Sequence, residues 1–213
     1  MKESFLHHWR TYGFWAPAVR DYEQVGIFAW LRTPQVATLR AIVDPYLYRD
    51  RLAMPKYIIN SPGDEFFAAD SSRLYFDELP GQNFLRYVPN TSHGLDSEDV
   101  LTGGLLFFRS ITSGGALRRF SWELPPDRGI RLRTVDRPTE VRLWQATNAA
   151  ARDFRAQTIG RSWTSTVVAE SAPGVEGHYG DRRLASNRDW RRRVPRPEGW
   201  PSRLARIREP AFR

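Results

Sequence analysis

Two residues in this sequence could act on each other as acid and base. Asp64 follows the run Tyr57-Ile58-Ile59-Asn60 after the break Ser61-Pro62-Gly63, and His93 follows Phe84-Leu85-Arg86-Tyr87-Val88 within Thr91-Ser92-His93-Gly94. A carboxylate that accepts from one imidazole nitrogen fixes the tautomer and stabilises the imidazolium formed when the other nitrogen takes a proton. Each residue alone has a blander explanation, since Asp and Gly suit tight turns on their own account. In that order, each at the end of an apolar run, they read as a functional pair. Glu65 is adjacent and competes for the acid's role. Asp64 stands directly after Gly63 at the tight turn and is the better candidate.

A nucleophile for the pair is not evident. No Gly-x-Ser-x-Gly elbow occurs, the Thr112-Ser113-Gly114-Gly115 stretch lies downstream of His93, and Ser4 has no strand before it. The chain holds no cysteine, so disulfides, thiolate metal sites and a cysteine nucleophile are excluded. His7 and His8 beside Trp9 lack further ligands at metal-binding spacing. Aromatic packing or the positioning of a neighbouring group is the reading for them. His178 has no partner in sequence, and neither a cofactor nor a metal is expected.

The secondary structure around Asp64 and His93 follows from periodicity. Residues 1 to about 50 read as helical and aromatic, with Pro34 opening a helix at its first turn. Residues 44–55 read as a loop, 56–60 as a strand, and 68–79 as a helix capped by Asp70 or Ser71. A second strand is expected in 83–89, and a helix in 97–112 behind Ser97 with Glu98 and Asp99 in its first turn. Strand, acid turn, helix, strand, histidine turn, helix is the order of a βαβ unit with a parallel sheet. Acid and base would then stand beyond the carboxyl ends of neighbouring strands.

From Phe120 the period becomes two. Residues 120–124, 130–135, 139–147 and 162–168 alternate apolar and polar like half-buried strands, an all-β unit expected to be a small sandwich. The expected organisation is therefore residues 1–115 as an α/β portion, 116–179 as a β-rich domain, and 180–213 as an Arg-rich tail.

The formal net charge of +8 invites a nucleic-acid reading. Yet residues 180–213 hold eleven Arg against Asp181, Asp189, Glu198 and Glu209, which leaves the body of the chain at +1. The basicity belongs to the tail, and its distribution argues against nucleic acid as a partner. Four prolines and few apolar positions mark that tail as disordered or miscalled. No run reaches the roughly 18 consecutive apolar residues of a membrane helix. The first residues carry no apolar signal-peptide core, so a secreted or periplasmic location would need a leader upstream of Met1.

Several long stretches carry a family resemblance. They are "HHWRTYGFWAPAVRDY", "DPYLYRDRLAMPKYIINSPGDEFFAADSSRLYFDELPG", "LRYVPNTSHGL" and, further on, "RPTEVRLWQATN", "ARDFR" and "IGRSWTST". In this order they resemble the PhoPQ-activated pathogenicity-related protein family, a group of α/β-hydrolase-like proteins, over about residues 5 to 168. The resemblance implies that Asp64 is the triad acid and His93 the triad base. It also implies that the nucleophilic serine lies upstream of the present Met1. The chain would then be the C-terminal part of an α/β-hydrolase-like parallel sheet with helices, followed by the family's β domain. The upstream half of the same protein would be its partner, and a small molecule or peptide its substrate. The alternatives are a non-catalytic secreted or virulence-associated binding module and, behind it, binding of an anionic surface or of nucleic acid through the tail.

Overall fold

The computed structural model describes residues 2–115, 117, 119–123, 130–136, 138–170, 176–178 and 203–208. They fall into two compact units, residues 1–104 with 151–161, and residues 105–150 with 162–213. The first unit is helical around one pair of strands. Helix α1 spans Lys2–Tyr12, and a 3-10 turn at Pro17–Val19 leads into α2, Arg20–Gln24. Helix α3 is Ile27–Trp30 and α4 is Pro34–Val43. Thr33 is the N-cap of α4, its hydroxyl accepting from the Val36 N–H with Pro34 in the first turn, where a missing N–H costs nothing.

Strands β1, Lys56–Asn60, and β2, Asn83–Tyr87, run parallel in register, with Ile58 opposite Leu85 and Asn60 opposite Tyr87. The acid turn leaves the end of β1 and the histidine turn leaves the end of β2. Helix α5, Glu98–Thr112, follows, and the division between the two units falls within it after Gly104. Helix α6, Ala156–Ile159, belongs to the returning segment of the first unit.

Two segments differ from the sequence expectation. Residues 68–79 form 3-10 turns at Ser71–Leu74 and Phe76–Glu78 and no α-helix. Tyr75 between them has φ −149°, outside the helical region, and Asp70 makes no cap because its carboxylate is engaged elsewhere. Residues 44–55 are more ordered than a loop. A 3-10 run at Pro45–Arg51 starts on Asp44, whose side chain accepts from the Tyr46 N–H.

The second unit is antiparallel. Strands β3 (Phe120–Glu123), β4 (Arg131–Thr134), β5 (Glu140–Gln145) and β6 (Thr164–Glu170) stand where period-two alternation placed them. With β7 (Glu176–His178) and β8 (Arg203–Arg208) they make two three-stranded sheets, ordered β3-β4-β7 and β6-β5-β8. Leu132 on β4 and Val141 and Leu143 on β5 are buried while Arg133 is exposed, so alternate side chains take opposite faces. The described fold is thus a mixed α/β protein with a small parallel sheet and antiparallel sheets. Apart from β8, the stretch read as a tail lies outside the described residues.

Gly63 ties the two strand ends together. A Cβ there would lie 2.4 Å from the Thr91 carbonyl oxygen and 3.2 Å from the Ala156 nitrogen, both backbone atoms. Gly63→Ala should therefore cost about 1–3 kcal/mol, read as a lower denaturant midpoint. Gly104 in α5 meets nothing within 4 Å, so Gly104→Ala should be neutral or gain up to about 1 kcal/mol.

Candidate functional site

The acid turn folds on its own carboxylate. Asp64 Oδ1 accepts the backbone N–H groups of Phe66 at 2.7 Å and Phe67 at 3.1 Å, closing an Asx-type turn. Its other oxygen, Oδ2, accepts from His93 Nδ1 at 2.9 Å. A buried carboxylate must be met by donors, and here it is met by three. The histidine turn is fastened separately, by the Ser61 hydroxyl donating to the Thr91 carbonyl at 2.6 Å. Asn90 and Leu95 on either side of His93 take left-handed φ values of 62° and 52°, a bend that costs energy at Leu95 in particular.

Asp64 and Glu65, which the sequence leaves in competition, have separate tasks. Asp64 holds the imidazole ring, while Glu65 Oε2 accepts the backbone N–H of His93 at 3.1 Å. With Nδ1 donating to the carboxylate, the lone pair of neutral His93 resides on Nε2. The side chain of His93 is 46% exposed against 11% for Asp64. Phe66 packs against the imidazole with ring centroids 4.4 Å apart, and Phe67 lies 6.0 Å away. Chemically this is an imidazole held in one tautomer, able to accept a proton at Nε2.

The two histidines of α1 grip the segment after the acid. His7 Nε2 donates to Asp70 Oδ1 at 2.7 Å, and Arg152 donates to the other oxygen of Asp70. Burial of Asp70 favours the neutral acid, but the His7 hydrogen bond and the Arg152 guanidinium outweigh it and hold the carboxyl below the usual range. His8 is fully buried, receives the Ala16 N–H on Nε2 at 3.1 Å and donates from Nδ1 to the Phe66 carbonyl at 3.0 Å. Only neutral imidazole can do both, and burial lowers its pKa despite the Phe66 bond.

Sequence reading missed Arg152 and the bonds of His7 and His8. Their signals are a histidine pair inside an aromatic helix and the charged stretch 151–155, and neither says what it contacts. At the end of β2 the Tyr87 hydroxyl pairs with Ser72 Oγ at 2.7 Å, and burial pushes it up to about 12. Among the described residues, no group of three or more His, Asp or Glu is placed to hold a metal ion, and no helix is long and apolar enough to cross a membrane.

The first unit is thus a mixed α/β unit with a carboxylate–imidazole pair beyond the ends of adjacent parallel strands. The family model for PhoPQ-activated pathogenicity-related protein matches residues 1–155, and the chain belongs to that family. It is also similar to autocrine proliferation repressor protein A of Dictyostelium discoideum, 33% identical over 166 residues. That match covers 71% of this chain and 34% of the relative, so the chain spans about a third of the relative's length. No solved structure matches.

Asp70→Asn should cost about 2–4 kcal/mol, because it leaves His7 and Arg152 without their shared carboxylate. Stability should also fall on acidification. His8, depressed in the fold, regains its ordinary value near 6.5 on unfolding, so its contribution is whole above that pH and declines below it. The Asp70 contribution persists until the pH falls through the ordinary carboxylate range, about 3.9. Thermal melts between about pH 5 and 8 should show the first decline, reduced in His8→Asn.

Proposed function

We propose that the chain carries the acid and base of a serine-type hydrolase of the α/β-hydrolase kind. The observation that supports it is the 2.9 Å contact between Asp64 Oδ2 and His93 Nδ1, with the imidazole half-exposed. His93 Nε2 would take the proton of a serine hydroxyl and return it to the leaving group. Asp64 would hold the ring and stabilise its cation without itself becoming protonated. The serine, and the donors that stabilise the oxyanion, would come from an upstream segment of the same protein. Acyl or peptide-bond hydrolysis, on a small molecule or a peptide, is the reaction class.

The same reading extends to the fold. The β1–β2 pair would be the last two strands of a larger parallel sheet, and the two antiparallel sheets a small sandwich. Residues 1–115 would then be the hydrolase-like portion and 116–179 the β-rich domain. Two strands alone are a marginal sheet. Trp30, Ile42, Val43 and Leu101 of the first unit are exposed apolar side chains that such an upstream segment would cover.

A second reading is a non-catalytic binding module in which the pair is retained without a nucleophile. The name of the Dictyostelium relative, an autocrine proliferation repressor, favours it.

Joining this chain to the family's upstream segment should give an enzyme that cleaves generic esters. Asp64→Asn and His93→Ala should then lower turnover by about 10³–10⁴-fold. The 213-residue chain alone should not react with a fluorophosphonate probe. His93-dependent labelling of it would contradict the assignment of the nucleophile upstream. A joined protein that turns over no ester favours the binding module.

A further inference from the structure

We infer that His8 is a positioning residue for the Asp64–His93 pair, acting through the single peptide unit that joins Phe66 to Phe67. The inference rests on the reading of that pair as triad acid and base, and carries it into α1. The oxygen of this peptide unit accepts from His8 Nδ1 at 3.0 Å. The nitrogen of the same unit, on Phe67, donates to Asp64 Oδ1 at 3.1 Å. Asp64 Oδ2 in turn accepts from His93 Nδ1 at 2.9 Å. Imidazole, amide, carboxylate and imidazole therefore stand in one hydrogen-bonded series.

Groups bonded in series polarise one another where water is excluded. A donor on a carbonyl oxygen draws density out of the amide and makes its N–H a stronger donor. His8 thus fixes the rotation of the peptide and strengthens the bond that holds one carboxylate oxygen. The other oxygen is left aimed at His93. The direction is set by Ala16, whose N–H occupies His8 Nε2 at 3.1 Å and keeps the proton of the neutral ring on Nδ1. His8 is only 1% exposed; its bond from Ala16 is buried and its bond to the Phe66 carbonyl part-buried. The Phe66 side chain adds a second link, since its ring is packed on His93. His7 next door bonds to Asp70 and stands outside the series. Arg155 and Asp153 act on His8 by charge from the returning segment.

The test is a titration of the 213-residue chain over about pH 5 to 8.5, the range in which histidines change charge. The ring nitrogen-15 shifts of His7, His8 and His93 are read through their carbon-bound protons. The expected result is a displacement of His8 Nδ1 at the midpoint of His93, with His7 unmoved there. A His8 ring that does not respond at that midpoint, or a His7 that responds equally, overturns the series. In His8→Gln, whose amide reaches the Nε2 position but not Nδ1, the His93 midpoint should shift. In His8→Asn, whose amide nitrogen stands where Nδ1 stood, it should return to the wild-type value. An unchanged midpoint in His8→Gln overturns the inference, and if that variant does not fold the wild-type titration decides. Asp64→Asn separates the two levels. An unmoved His93 midpoint in that variant defeats the pair itself, whereas a moved midpoint beside a silent His8 defeats only the positioning role.

Discussion

One buried carboxylate organises the site. Asp64 stands at the end of a strand where water cannot solvate it fully, and an ionised group in that place must be met by donors. Its own turn supplies two N–H groups and the neighbouring turn supplies an imidazole. The other constraints of the region follow from keeping those three donors in place. Gly63 lets the turns approach to a distance that no side chain would allow, and Ser61 ties the first turn to the Thr91 carbonyl. Glu65 fixes the backbone of His93 while Asp64 fixes its ring.

The support extends outward by the same rule. Phe66 and Phe67 can hold the carboxylate only if their backbone is itself held, and α1 does this from one side. His8 takes the Phe66 carbonyl, and His7 reaches Asp70 a few residues on. Asp70 is shared with Arg152 of the returning segment, so α1, the acid-turn segment and residues 151–161 are joined through one second buried carboxylate. This arrangement explains why Asp70 does not cap a helix. With its two oxygens turned to a guanidinium and an imidazole, its side chain makes no cap to the backbone N–H groups ahead of it.

Much of this was legible in the sequence where periodicity is strong. The strands at 56–60 and 83–87, the helix opened by Pro34 and the period-two strands after Phe120 are placed by local pattern alone. The pairing of Asp64 with His93 was legible because topology brings consecutive parallel strand ends together. What was not legible depends on contacts distant in the chain. The 68–79 segment has the composition of a helix, but Asp70 is drawn away by His7 and Arg152 and the backbone breaks at Tyr75. No spacing rule connects His8 to Phe66, because the bond joins a helix side chain to a turn carbonyl 58 residues later. Glu65 and Asp64 are neighbours of the same chemical type, and only the fold separates ring-holding from backbone-holding.

Asp64 holds the neutral His93 ring with its proton on Nδ1 and its lone pair on Nε2. The most direct measurement is the tautomer of His93 at neutral pH, read from its two ring nitrogen-15 resonances. The expected result is a protonated Nδ1 and a bare Nε2. A His93 protonated at Nε2, or one exchanging freely between tautomers as unbound imidazole does, would contradict it.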